Sequence, residues 1–277
     1  MSTQQLGLWV ERFWGSEVRG VGDTQSRFER HYLNPLLEQR RLVVATVGLQ
    51  GADSITRDPL IFQFNRQEAG RPIRQILVLR DVAGEDLEND NGDDVALDFF
   101  SRADAVLVLI DPLKVKQIRD MLADIVPEPE LMGGESIDVL RHVLGLMTSR
   151  VAGARTKIPI AVVLSKVDVL QKLSQVSGTK WAAIMNRPGS PLQRDPSLMT
   201  DHFDEKDGAL LHAEVGGLLE MLGARRIRAM LDDTAEIYQF FAASALGESP
   251  DGDMVHSGGI APFRALDPIK WALHVQG

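Results

Sequence analysis

Short apolar runs of strand length punctuate the chain at Leu60–Asn65, Gln75–Leu79, Asp104–Ile110, Ile158–Leu164 and Tyr238–Ala243, and the stretches between the later ones carry apolar residues at helical spacing. Runs without polar alternation belong to strands covered on both faces, and crossover helices supply that cover in parallel sheets. The expected fold class is therefore α/β, a mainly parallel sheet flanked by helices. Val115, Ile118, Met121, Leu122 and Ile125 share one helical face, as do Ile137, Leu140, Val143, Leu144 and Met147. A third helix around Leu210, Leu211, Val215, Leu218, Leu219 and Leu222 breaks at Gly223 before the basic segment 224–230. Phe28, Tyr32 and Leu33 line a helix that meets Asn34-Pro35, where proline kinks it or starts a new turn. A further strand is expected at Leu42–Val47.

Composition narrows the function classes. The 277 residues are 44% hydrophobic, enough for a substantial core, and 30 Lys+Arg against 39 Asp+Glu leave a formal charge of −9. Attraction to a polyphosphate backbone thus lacks its usual driving force, and no nucleic-acid partner is expected. Zero cysteines exclude disulfides and thiolate metal sites and fit a reducing, cytoplasmic setting. No run of about 18 apolar residues forms an integral membrane segment. Residues 1–277 are expected to form a single domain, with an insertion at about 176–208 and a carboxyl-terminal loop and helix at 248–277, where Trp271 is the apolar anchor.

Chemistry-bearing residues gather where these strands end. Gln75–Leu79 delivers Asp81 and, three residues on, Gly84; a carboxylate there can hold Mg²⁺ and the glycine lets a backbone N–H approach a phosphate. Alone, that pair reads more readily as an ordinary turn. Ile158–Leu164 ends in Ser165-Lys166-Val167-Asp168, where an aspartate can accept from the N1–H and exocyclic amine of guanine while the lysine stem lies along the ring. Tyr238–Ala243 runs into Ser244-Ala245, a small-residue turn whose N–H groups can meet the guanine oxygen.

In this order the three loops resemble those of P-loop GTPases: Asp81 to Gly84 matches D-x-x-G, Ser165 to Asp168 matches [NT]-K-x-D, and Ala243-Ser244-Ala245-Leu246 matches the S-A-[KL] loop. The resemblance covers roughly Leu42 to Ala245 and is nearest the bacterial double-GTPase-type domains, whose D-P-x-x-W ending stands here as Asp267-Pro268-Ile269-Lys270-Trp271. It implies a guanine-nucleotide switch in which Mg²⁺ with GTP or GDP binds at Asp81 and a protein partner reads the loops. Gly84 would contact the γ-phosphate, Ser165, Lys166 and Asp168 the base, and Ser244 and Ala245 the base loop. Thr46 is the candidate switch threonine on Mg²⁺, with Thr56 its rival. Serine at 165 has less reach than the usual asparagine or threonine. Glu85 stands where related enzymes orient the attacking water; a carboxylate there can take a proton but repels the γ-phosphate.

No G-x-x-x-x-G-K-[ST] occurs in the chain. The fold is therefore expected to lack the first strand and Walker A loop, either because the sequence begins downstream of them or because the protein has lost them. The chain alone should then not hydrolyse GTP appreciably. The alternative is a degenerate, nucleotide-free GTPase fold that binds partners through its insertions; an unrelated Rossmann-like enzyme lacks a glycine fingerprint or nucleophile-base pair. The acidic 86–94 segment departs from a calcium loop in its glycine and twelfth residue and reads as a solvated switch loop. The histidines show no H-x-x-x-H pair, and the acidic Asp201–Glu205 group and the basic 224–228 segment read as surface features.

Overall fold

The computed structural model describes residues 2–43, 58–68, 70–82, 87, 98–123, 125–126, 136–148, 151, 153–176 and 180–276. In chain order the elements are α1 Ser2–Trp14, β1 Arg19–Gly20, α2 Thr24–Phe28, β2 Leu60–Glu68, β3 Arg71–Leu79, β4 Val106–Ile110, α3 Lys116–Leu122 and α4 Ser136–Met147. There follow β5 Ile160–Leu164, α5 Val167–Gln171, α6 Trp181–Met185, α7 Glu205–Met221, α8 Arg225–Thr234, β6 Tyr238–Ala242 and α9 Asp267–Val275.

The strands form two sheets. β4, β5 and β6 are parallel with β5 in the centre, in a register that sets Leu164 beside Ile110 on one side and Ala242 on the other. All five residues of the central strand β5 are buried, whereas β4, an equally unbroken apolar run, buries only alternate residues and leaves Leu107 and Leu109 exposed. β1, β2 and β3 make a separate antiparallel sheet. This corrects the expectation of one sheet that includes the strand before Asp81. Both strands run longer than the apolar runs at Leu60–Asn65 and Gln75–Leu79, so only two residues separate β2 from β3, and such a loop joins antiparallel neighbours, since parallel ones need a crossover. Gly70, at φ +76, supplies the left-handed residue in that loop.

The helical faces read from periodicity are the buried ones. Ile118 and Leu122 of α3 and Leu140, Val143 and Leu144 of α4 join the core around the parallel sheet, together with Leu211, Val215, Leu218 and Leu219 of α7. Leu210 is instead exposed. Helix α7 starts on Asp204, whose carboxylate accepts from the N–H groups of Lys206 and Asp207. Gly223, φ +82, separates it from α8. The chain does not stop at Pro35: α2 widens into a π-helical segment, Glu29–Glu38, that contains the proline. A residue without an N–H donor is tolerated there as the turn opens. The N-terminal helix α1 buries Leu6, Trp9 and Val10 in a second cluster with Phe64, Leu266 and Ile269. Most of the candidate strand at Leu42–Val47 lies outside the described residues; Arg41 makes an isolated antiparallel bridge to Met254.

Within the stretch read as an insertion, Met185 and Leu192 are buried in the main core. Helix α9 docks Trp271 against Phe241, ring centroids 5.7 Å apart, and only 4% of Trp271 is exposed. Trp271→Ala is expected to lower the unfolding free energy by about 3–5 kcal/mol, and Leu109→Ala on the exposed face of β4 by no more than about 0.5 kcal/mol, as read by urea titration. His212 on α7 stacks over Phe240 at 5.2 Å and its Nδ1 accepts from the Phe240 N–H at 3.1 Å. Burial, and then the Arg228 charge, hold its pKa below the ordinary 6.5. The folded form therefore binds fewer protons than the unfolded one, so the contribution of neutral His212 is present above pH 6.5 and lost as pH falls through the depressed folded value. His212→Gln should flatten that part of the stability–pH curve, measured as melting midpoint against pH.

Candidate functional site

The site is assembled at the carboxyl ends of β4, β5 and β6. Ser165 donates through both its backbone N–H, at 2.9 Å, and its hydroxyl, at 3.0 Å, to the carbonyl of Ile110, which ties the loop after β5 to the end of β4. On the other side the Val167 N–H donates to the Ala243 carbonyl at 3.2 Å. Between these two anchors Lys166 adopts φ 51, ψ 41, the left-handed region that non-glycine residues enter at a cost. Sheet-edge bonds on both sides hold it there, the circumstance in which such strain persists at functional positions.

Held this way, the Lys166 side chain runs toward β4, and its ammonium pairs with Asp111 Oδ2 at 2.7 Å. Asp111 Oδ1 accepts from the Leu113 N–H at 2.9 Å, so this carboxylate is itself fixed. The sequence reading did not single out Asp111; its signal was an aspartate at the end of an apolar run, the same signal that drew attention to Asp81 and to Ser165–Asp168. Asp168, on the first turn of α5, is 8% exposed. Among the described residues its carboxylate has no hydrogen-bond or ion-pair partner, and its oxygens are not sealed from solvent. A carboxylate so placed is an acceptor waiting for donors.

The turn after β6 is tightly built. Ser244 exchanges two backbone bonds with Phe263, each 2.9 Å, and its hydroxyl accepts from the Gly247 N–H at 2.8 Å. Gly247 has φ +84, and a Cβ there would lie 2.1 Å from the Ala261 carbonyl oxygen, so only glycine closes the turn. Ala245 stands exposed at its tip, and among the described residues its N–H donates to no backbone or side-chain acceptor. A neighbouring link joins Lys172 Nζ to Ser249 Oγ at 2.9 Å.

The structure thus brings Ser165, Lys166, Asp168, Ser244 and Ala245 together. Asp81 follows β3 in the antiparallel sheet, exposed, close enough to Tyr32 to raise that phenol's pKa after burial has done so. Thr46, Thr56, Gly84 and Glu85 lie outside the described residues. Among the described residues no group of three or more His, Asp or Glu could hold a metal ion, and no helix is long and apolar enough to cross a membrane.

At this edge the Asp168 carboxylate offers an acceptor, the Ala245 N–H a donor and the Lys166 stem an apolar surface. The model of the Double-GTPase 2 family matches residues 52–221. A protein of Mycolicibacterium smegmatis, named as the ESX-1 scaffolding and assembly protein SaeC, is 40% identical over 272 residues, covering 97% of this chain and 68% of its own length. No solved structure matches. Because glycine alone is at ease in the Lys166 conformation, Lys166→Gly is expected to change stability by less than about 1 kcal/mol, even though it removes a half-exposed ion pair. Chemical denaturation would read a marked loss of stability if Lys166 were instead a structural keystone.

Proposed function

The chain belongs to the Double-GTPase 2 family, and from that premise we propose that it is a guanine-nucleotide-binding regulatory domain, a conformational switch whose base site is Ser165, Lys166 and Asp168 with Ser244 and Ala245. The observation that carries this reading is the Asp168 carboxylate: recessed, reachable, without a partner among the described residues, and set beside a lysine held in a strained backbone conformation. Neither feature is needed for packing. Guanine fits this donor and acceptor set, and adenine offers no matching pair of donors.

The polyphosphate end is supported by less. The chain contains no G-x-x-x-x-G-K-[ST] cradle, and Asp81 is the one residue proposed for Mg²⁺ that lies among the described ones. Mg²⁺ at Asp81 and Thr46, a γ-phosphate contact at Gly84 and a water-orienting role for Glu85 belong to the proposal only in company with an intact P-loop. Successive N–H groups and a lysine are what neutralise and orient β- and γ-phosphates in such proteins. We therefore assign no hydrolytic step to these 277 residues by themselves.

A second reading has its own support. The absent cradle, together with the name of the Mycolicibacterium relative, favours a domain that works as a scaffold and binds protein partners without nucleotide. The two readings share a protein partner and part over the base site.

Calorimetry separates them. The switch reading expects weak but measurable GDP and GTP binding, a preference over ADP and ATP, and no appreciable GTP turnover. Asp168→Asn should shift the preference toward xanthine nucleotides, because a buried donor left without its acceptor costs about 1–3 kcal/mol. Equal affinity for guanine and adenine nucleotides, unaltered by Asp168→Asn, would leave the scaffold reading in possession.

A further inference from the structure

Lys166 has two aspartates to choose from: Asp111, across at the end of β4, and Asp168, two residues further along its own chain. Its ammonium takes the one distant in sequence. Nζ lies 2.7 Å from Asp111 Oδ2, a pairing over 55 residues of chain, while among the described residues the Asp168 carboxylate has no hydrogen-bond or ion-pair partner.

Asp111 is built into its place from two sides. Its Oδ1 accepts from the Leu113 N–H at 2.9 Å and so caps the short 3-10 turn Pro112–Lys114, while its carbonyl accepts from the Lys114 N–H at 3.1 Å. Leu113 is sunk in the main core at 6% exposure, and its carbonyl accepts from Arg119 Nη1 at 3.2 Å. The two carboxylate oxygens therefore divide the work: Oδ1 serves the turn and Oδ2 the lysine. Capping needs one acceptor oxygen, which an asparagine would also supply. The negative charge is needed only by Lys166.

We propose that Asp111 is a positioning residue for the base site, an inference that rests on the base-site reading above: it holds the Lys166 stem extended across the sheet edge and keeps the ammonium off Asp168. Both effects act before a nucleotide arrives. An unpaired ammonium is drawn to any carboxylate within reach, and on Asp168 it would occupy the acceptor meant for the ring N–H groups. Ordering one long side chain on binding weakens affinity by about two- to tenfold, and a lysine already tethered at its tip has met that cost. Preorganisation of this kind changes affinity with little change in stability, because the pair itself is partly exposed, 54% at Lys166 and 24% at Asp111.

Calorimetry with GDP and ADP on the 277-residue chain, on Asp111→Asn, on Lys166→Met and on the double variant tests this. Asp111→Asn keeps the turn and removes the charge. It is expected to bind GDP up to about tenfold more weakly than the wild type, with a narrower preference over ADP and an unchanged urea midpoint. In Lys166→Met, where no ammonium remains to be held, adding Asp111→Asn is expected to change GDP affinity no further. GDP binding by Asp111→Asn equal to that of the wild type overturns the assignment, and so does a loss that reappears in full in the Lys166→Met background, since Asp111 would then act by shaping its own turn. The wild type tells the two levels apart: no guanine preference there sinks the base site and the assignment with it, whereas a guanine preference that Asp111→Asn leaves intact sinks the assignment alone.

Discussion

The pairing of β5 with β4 on one side and β6 on the other is the constraint from which the site follows. Parallel strands end together, so the register that sets Leu164 beside Ile110 and Ala242 also delivers Asp111, Ser165–Asp168 and Ser244–Ala245 to one edge. Burial of the β5 side chains fixes that register, each large apolar residue contributing about 1.5–3 kcal/mol relative to exposure. A slip by one residue would move every side chain to the other face of the sheet. The left-handed turn at Lys166 depends on the same pairing, since its two anchors are the strand-end carbonyls of Ile110 and Ala243.

A second cluster, around Arg264, Asp267 and Lys270, is held by a different kind of energy. Burial pushes the Asp267 carboxyl up to about 6, with the Arg264 charge opposing, and draws the Lys270 ammonium down to about 8, with Asp267 opposing. In both cases desolvation outweighs attraction, so these charges add less stability than an apolar filling of the same shape would. What they supply is geometry. Arg264 reaches the carbonyls of Pro191 and Arg194, and Lys270 those of Ser197 and Thr200, backbone groups of a segment whose regular structure is a single short 3-10 turn at Pro191–Gln193. Trp9 joins the same arrangement, donating to the Thr200 carbonyl at 2.7 Å while its ring lies 5.0 Å from the Lys270 ammonium.

The two clusters meet through β6. Phe241 packs on Trp271 from α9, and the Ser244 turn is stapled to Phe263 just before Arg264. The loop that would face a guanine carbonyl is thus held by the segment that carries the buried guanidinium. Rigid support beneath small exposed residues is the arrangement in which binding loops are found.

The sequence by itself determined the parallel core and the edge at which its strands end. Short apolar runs mark the strands, although β4 leaves Leu107 and Leu109 exposed, helical periodicity marks the covering elements, and polar residues immediately after such runs fall at the strand ends; Ser165, Lys166, Asp168, Ser244 and Ala245 were legible for that reason. Tertiary structure alone decided what those signals leave open. It extended the two apolar runs into one β2–β3 hairpin and so separated Asp81 from the parallel sheet. It turned the Lys166 ammonium toward Asp111, a pairing across 55 residues of chain that no local pattern encodes. It also made Arg264, Asp267 and Lys270 interior residues, whereas their charge reads as surface; the partners of Arg264 and Lys270 come from 57 and 73 residues away, and only the folded chain supplies them.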